Sequence, residues 1–101
     1  MKLLMITCLK EYLADASKIF KQAGINVFST VNIMGHRDGN PSDILKDWFA
    51  SGDEQFDSIM IFSFTSEANV AQGMELIKKY NDKLKENFPV RAFILPVENS
   101  L

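Results

Sequence analysis

The sequence has 101 residues, 47% of them hydrophobic, and a formal net charge of −2. That length is expected to make one domain over residues 1–101, and the composition excludes a disordered chain, which needs low hydrophobicity and high net charge. The near-neutral balance gives no global attraction to nucleic acid or to an anionic membrane surface.

The one cysteine, Cys8, excludes an internal disulfide and fits a reducing, cytoplasmic setting. The apolar start at residues 3–6 soon meets Thr7, Lys10 and Glu11. It is too short for a signal-peptide core, and no stretch approaches the roughly 18 apolar residues of a membrane span.

Residues 3–8 form a short apolar run that predicts a first strand. Residues 10–23 then follow a helical period, with Leu13, Ala16, Phe20 and Ala23 on one stripe flanked by Tyr12 and Ile19. Gly24 stands where a helix end wants a left-handed residue. Residues 25–34 alternate and predict a second strand: Ile25, Val27, Ser29, Val31 and Ile33 face one way. Residues 35–57 are a long connection with turn signals at Asp38-Gly39 and Asn40-Pro41. Within it Ser42 is placed to cap a short helix carrying Ile44, Leu45, Trp48 and Phe49.

Residues 58–64 predict a third strand. Thr65 or Ser66 is expected to cap a second helix, with Glu67 at its positive end. Val70, Met74, Ile77 and Leu84 mark its buried side, and Gly73 is a weak point in it. Phe88-Pro89 blocks any continuation, and residues 90–97 form the last strand. The order βαββαβ predicts an α+β, ferredoxin-like fold: a four-stranded antiparallel sheet, both helices on one face, and a long loop between strands 2 and 3.

Strands 1 and 3 are apolar on both faces: Leu3 and Met5 oppose Leu4 and Ile6, while Ile59 and Ile61 oppose Met60, Phe62 and Phe64. Two helices cover only one face of such a sheet, and a solvated second face should read polar. A copy of the same chain is the expected cover, and burying three of these side chains contributes roughly 5–9 kcal/mol before ordering costs.

Signals for catalysis are poor, and no catalytic residue is assigned. A Cys8–His36 nucleophile pair would require contact in space; a buried, inert Cys8 is expected instead. His36, Asp38, Asp43, Asp47, Asp53 and Glu54 crowd one loop, yet no metal-ligand spacing appears, so no metal site is assigned. No glycine-rich phosphate loop is present. An RNA-recognition module shares the strand order, but residues 58–64 carry no basic residue. An acylphosphatase-like enzyme shares it too, but Cys8-Leu9-Lys10-Glu11 lacks the arginine such an enzyme needs after strand 1.

Over nearly its full length the chain resembles the PII-like signalling proteins. The likeness lies in the opening Met1-Lys2-Leu3, in Gly24, in the stretch from Val27 to Gly35, and most specifically in the ending Leu95-Pro96-Val97-Glu98. The related CutA divalent-ion-tolerance proteins share the fold, and Thr7-Cys8 and Val31-Asn32-Ile33 resemble them. The resemblance implies a cytoplasmic homotrimeric regulator with ligand clefts between subunits, and a mobile loop that docks on a protein target such as a membrane transporter. It implies ligand-binding roles for Ser29, Asn32, Gly35 and His36, with an adenine nucleotide or a divalent metal as ligand. Residues 35–57 become the docking loop, presenting Ile44, Leu45, Trp48 and Phe49.

Two departures bear on the ligand. The family's phosphate-binding loop falls at residues 80–89, which hold no glycine here, and the family's C-terminal arginines have no counterpart before Leu101. Weak or absent ATP binding is therefore expected. A CutA-like metal-binding protein and a small ferredoxin-fold enzyme are the alternatives.

Overall fold

The computed structural model describes residues 1–36, 55–84 and 89–101. It contains β1 (Lys2–Leu9), a single 3-10 turn (Lys10–Tyr12), α1 (Leu13–Gln22), β2 (Ser29–His36), β3 (Gln55–Thr65), α2 (Glu67–Lys83) and β4 (Arg91–Pro96). The strands form one antiparallel sheet in the order β2-β3-β1-β4. The ferredoxin-like α+β expectation holds, and the inner pair is the two strands that read apolar on both faces.

Register sorts the side chains. Leu4, Ile6 and Cys8 of β1 pair with Ser63, Ile61 and Ile59 of β3 and point toward the helices. There they join Ala16, Ile19 and Phe20 of α1 and Val70 and Ile77 of α2 in one buried cluster. Each apolar side chain buried in such a cluster contributes about 1.5–3 kcal/mol relative to exposure.

Local chemistry ends each helix. At the end of α1, Ile25 N–H donates to Phe20 O at 2.8 Å and Gly24 N–H to Lys21 O at 3.1 Å. This paired closure requires a left-handed residue between them, and Gly24 supplies it with φ of 83°. At the start of α2, Ser66 rather than Thr65 is the cap: its Oγ accepts from Asn69 N–H at 3.2 Å. The Asn69 side chain in turn donates to Thr65 Oγ1 at 3.0 Å.

Three expectations need correction. The stretch 25–28 is not strand. The closure at Gly24 turns Ile25 into the core, and Val27 O is taken by the Ser63 hydroxyl at 2.6 Å instead of by a strand neighbour. Pairing begins at Ser29, opposite Phe62. Gly73 is not a weak point, because α2 crosses β1 there and a Cβ at Gly73 would lie 3.2 Å from Leu4 Cδ2. α2 stops at Lys83, ahead of the Phe88-Pro89 block, with Leu84 already extended at ψ of 128°.

The Asn81 side chain explains how the chain re-enters the sheet. Its Nδ2 donates to Val90 O and its Oδ1 accepts from Val90 N–H, both at 2.8 Å. One amide thereby satisfies both backbone groups of the residue that leads into β4.

Gly73→Val sets a Cβ 3.2 Å from Leu4 Cδ2 and adds two methyl groups at a packed crossing, and chemical denaturation is expected to show a loss of roughly 1–3 kcal/mol. Ser66→Ala removes the cap of α2 and is expected to cost about 1 kcal/mol in the same assay.

Candidate ligand-binding site

The face of the sheet away from the helices carries Leu3, Met5 and Thr7 of β1 and Met60, Phe62 and Phe64 of β3. It also carries Phe93 and Leu95 of β4 and Ser29, Val31 and Ile33 of β2. It is apolar and incompletely covered: Phe64 is 57% exposed, Val31 42% and Leu95 42%. Phe62 and Phe64 stand edge to face with centroids 6.4 Å apart. Two-sided hydrophobicity in the sequence is thus a real second surface, not an accident of short strands.

Among the described residues, hollows lie at several places around the sheet. One, of about 250 Å³, is lined by Val27, Phe28, Ser29, Phe62, Ser63 and Phe64. Its aromatic walls and the Ser29 hydroxyl suit a flat, partly polar ligand. A second, of about 300 Å³, gathers Lys10, Asn32, Ile33, Met34 and Ser58. A third, of about 660 Å³, opens between the second half of α2 and β4.

The residues expected to bind ligand are therefore not all together. Ser29 lines the first hollow and Asn32 the second. They stand three residues apart, so their side chains leave opposite faces of β2. Gly35 and His36 lie farther along the same strand, paired with Phe56 and Gln55, so the ladder runs two residues beyond the expected end of strand 2. Ile44, Leu45, Trp48 and Phe49 lie outside the described residues.

Sequence reasoning passed over Phe62 and Phe64 as lining residues and missed the α2–β4 hollow. Alternation alone marked the two phenylalanines as facing outward. The hollow depends on how α2 crosses β4, for which the sequence carries no local signal.

Among the described residues no nucleophile is assembled. Cys8 is buried, and that burial pushes its thiol up to about 11. The register puts His36 two strands across and four residues along from Cys8, a backbone separation of roughly 16 Å. Among the described residues no three His, Cys, Asp or Glu side chains gather as metal ligands. Tyr80 donates its hydroxyl to Asp15 at 2.8 Å, linking the two helices. Burial first, and then that carboxylate, raise the phenol.

Comparison with solved structures decides the fold. The chain is similar to CPII, a nitrogen regulatory PII-like protein from Thiomonas intermedia K12, whose structure holds ADP, AMP and bicarbonate. The superposition covers 99% of this chain and 94% of that one with a TM-score of 0.65, at 16% sequence identity. The fold is PII-like. No protein-family profile and no curated protein matches the sequence. Among the described residues no helix is long and apolar enough to cross a membrane.

The raised Cys8 and Tyr80 values set an alkaline limit. Both groups hold their protons more tightly folded than unfolded; the Cys8 contribution is complete below pH 9 and is lost as pH rises through about 11, while that of Tyr80 is complete below pH 10 and is lost at higher pH still. Denaturation midpoints are expected to fall between pH 9 and about 11, and Cys8→Ala to fall less steeply. A thiol reagent at pH 8 is expected to label Cys8 only as fast as the chain opens.

Proposed function

We propose that the chain is a PII-like regulatory protein, not an enzyme. Three copies bury the open sheet face against one another, a small ligand occupies the clefts between them, and residues 35–57 dock on a protein target. The observation that carries this reading is the apolar sheet face left open on a PII-like fold. Covering a few of its exposed phenylalanine, leucine and valine side chains yields several kcal/mol per copy, enough to favour assembly of so small a chain.

Ser29 and the adjoining Phe62 and Phe64 form the base-binding part of the cleft, while Asn32, Gly35 and His36 follow along β2 toward the docking loop. Because CPII holds ADP, AMP and bicarbonate, these are the ligands to try first. Residues 80–89 offer no glycine-built phosphate cradle, which favours ligands less dependent on a triphosphate. Trp48 and Phe49, with Ile44 and Leu45, supply the apolar contacts of the docking loop. A membrane transporter is one target class that such a loop serves.

Light scattering on the purified chain at micromolar concentration is expected to return three times the monomer mass; a stable monomer would overturn the reading. Phe64→Asp, which places a charge on the open face, is expected to convert the trimer to monomer while leaving the helical content intact. Calorimetry is expected to show AMP or ADP binding more strongly than ATP, and Ser29→Ala to weaken it. Trp48→Ala is expected to lower target capture with the trimer's melting temperature unchanged.

A further inference from the structure

The alternation of residues 25–34 would carry β2 back past Ser29, and β3 runs on to Thr65 to meet it. Continued in register, the ladder would set Phe28 opposite Ser63 and Val27 opposite Phe64. Val27 and Phe64 would then be neighbours on the open face, an apolar cross-strand pair that favours closure. Instead the ladder stops at Ser29, and Val27 and Phe64 stay 83% and 57% exposed.

A side chain interrupts the pairing. The Ser63 hydroxyl donates to Val27 O at 2.6 Å, at the short end of the range for such bonds. Ser63 is buried, and a hydrogen bond shielded from water is stronger than one bathed in it. The bond occupies the carbonyl that a paired strand would offer to the backbone of β3. Next to it, the Phe28 ring stands edge to face with Phe20 of α1, centroids 5.3 Å apart, which draws the segment toward the helix. The gap that results is the hollow of about 250 Å³, walled by Val27, Phe28 and Ser29 on one side and by Phe62 and Phe64 on the other. Paired strands stand only about 4.8 Å apart and leave no room for a ring between them.

We infer that Ser63 is a positioning residue for ligand binding: its hydroxyl holds residues 25–28 off the sheet and so keeps open the hollow that receives a planar ring. Its proton is committed to Val27, so it acts on the ligand through the wall it holds and not by contact. The inference rests on the reading of this hollow as the base-binding part of the cleft. It adds that one hydroxyl decides between an open hollow and a continued strand.

The test compares Ser63→Thr, which keeps the hydroxyl, with Ser63→Val, which has nearly the same shape without it, both in the full chain. Without ligand, NMR of Ser63→Val is expected to show cross-strand backbone contacts between residues 27–28 and 63–64, with slowed exchange of the Phe64 N–H. The wild-type chain and Ser63→Thr are expected to show neither. With AMP as the probe, calorimetry is expected to give Ser63→Val roughly tenfold weaker binding than Ser63→Thr, while light scattering returns the same mass for both. Equal AMP affinity in the two variants would overturn the inference, as would equal loss in both, which would trace the effect to packing. So would a segment in Ser63→Val that keeps its wild-type contacts or loosens without pairing. If the wild-type chain takes up neither AMP nor ADP, the ligand reading fails on its own, and the ladder contacts still decide whether Ser63 holds the hollow open. If Ser63→Val does not fold, Ser63→Ala takes its place.

Discussion

The antiparallel ladder between β1 and β3 is the constraint on which the molecule depends. Leu4, Ile6 and Cys8 lie across from Ser63, Ile61 and Ile59, and both helices must lie over that row to keep it dry. The same two strands carry Leu3, Met5, Met60, Phe62 and Phe64 on their reverse. A pleated strand cannot place apolar residues at successive positions without feeding both faces. The chain makes one core of its own and leaves half of a second exposed.

The hollows follow from this arrangement. Two helices suffice for the inner strands but not for all four, so β2 and β4 are left with partly open flanks. Thr30 and Asn32 of β2 are exposed although they share the helix side with Ile61 and Ile59. Polar and charged side chains accordingly collect at the sheet's margins, beside apolar walls. That combination suits ligand recognition, in which a few polar groups orient a mostly apolar contact.

Much of the architecture was legible in the sequence because it rests on local rules. Gly24 and Ser66 mark helix ends through backbone needs that act within a few residues. The unbroken apolar runs of strands 1 and 3 reported two apolar faces. What failed to show was tertiary. Residues 25–28 alternate like a strand, yet Ser63, more than thirty positions away, takes the carbonyl of Val27. Gly73 reads as a helix weakness until Leu4 is seen against it. Of the candidate site, Ser29 was legible through family resemblance, whereas Phe62 and Phe64 were seen only as outward-facing.

The double hydrogen bond from Asn81 to Val90 bears on how freely this chain can diverge. A side-chain amide has the same donor and acceptor as a peptide group, so Asn81 serves Val90 as a strand neighbour would. Both ends of the intervening stretch are thereby pinned, one by the last turns of α2 and the other by the entry to β4. The Asn81 clamp fixes Val90 one residue ahead of the β4 ladder. Residues 82–89 can then change in composition while the sheet keeps its pairing. A side-chain clamp of this kind offers a protein engineer a place to graft a foreign peptide without shifting a strand.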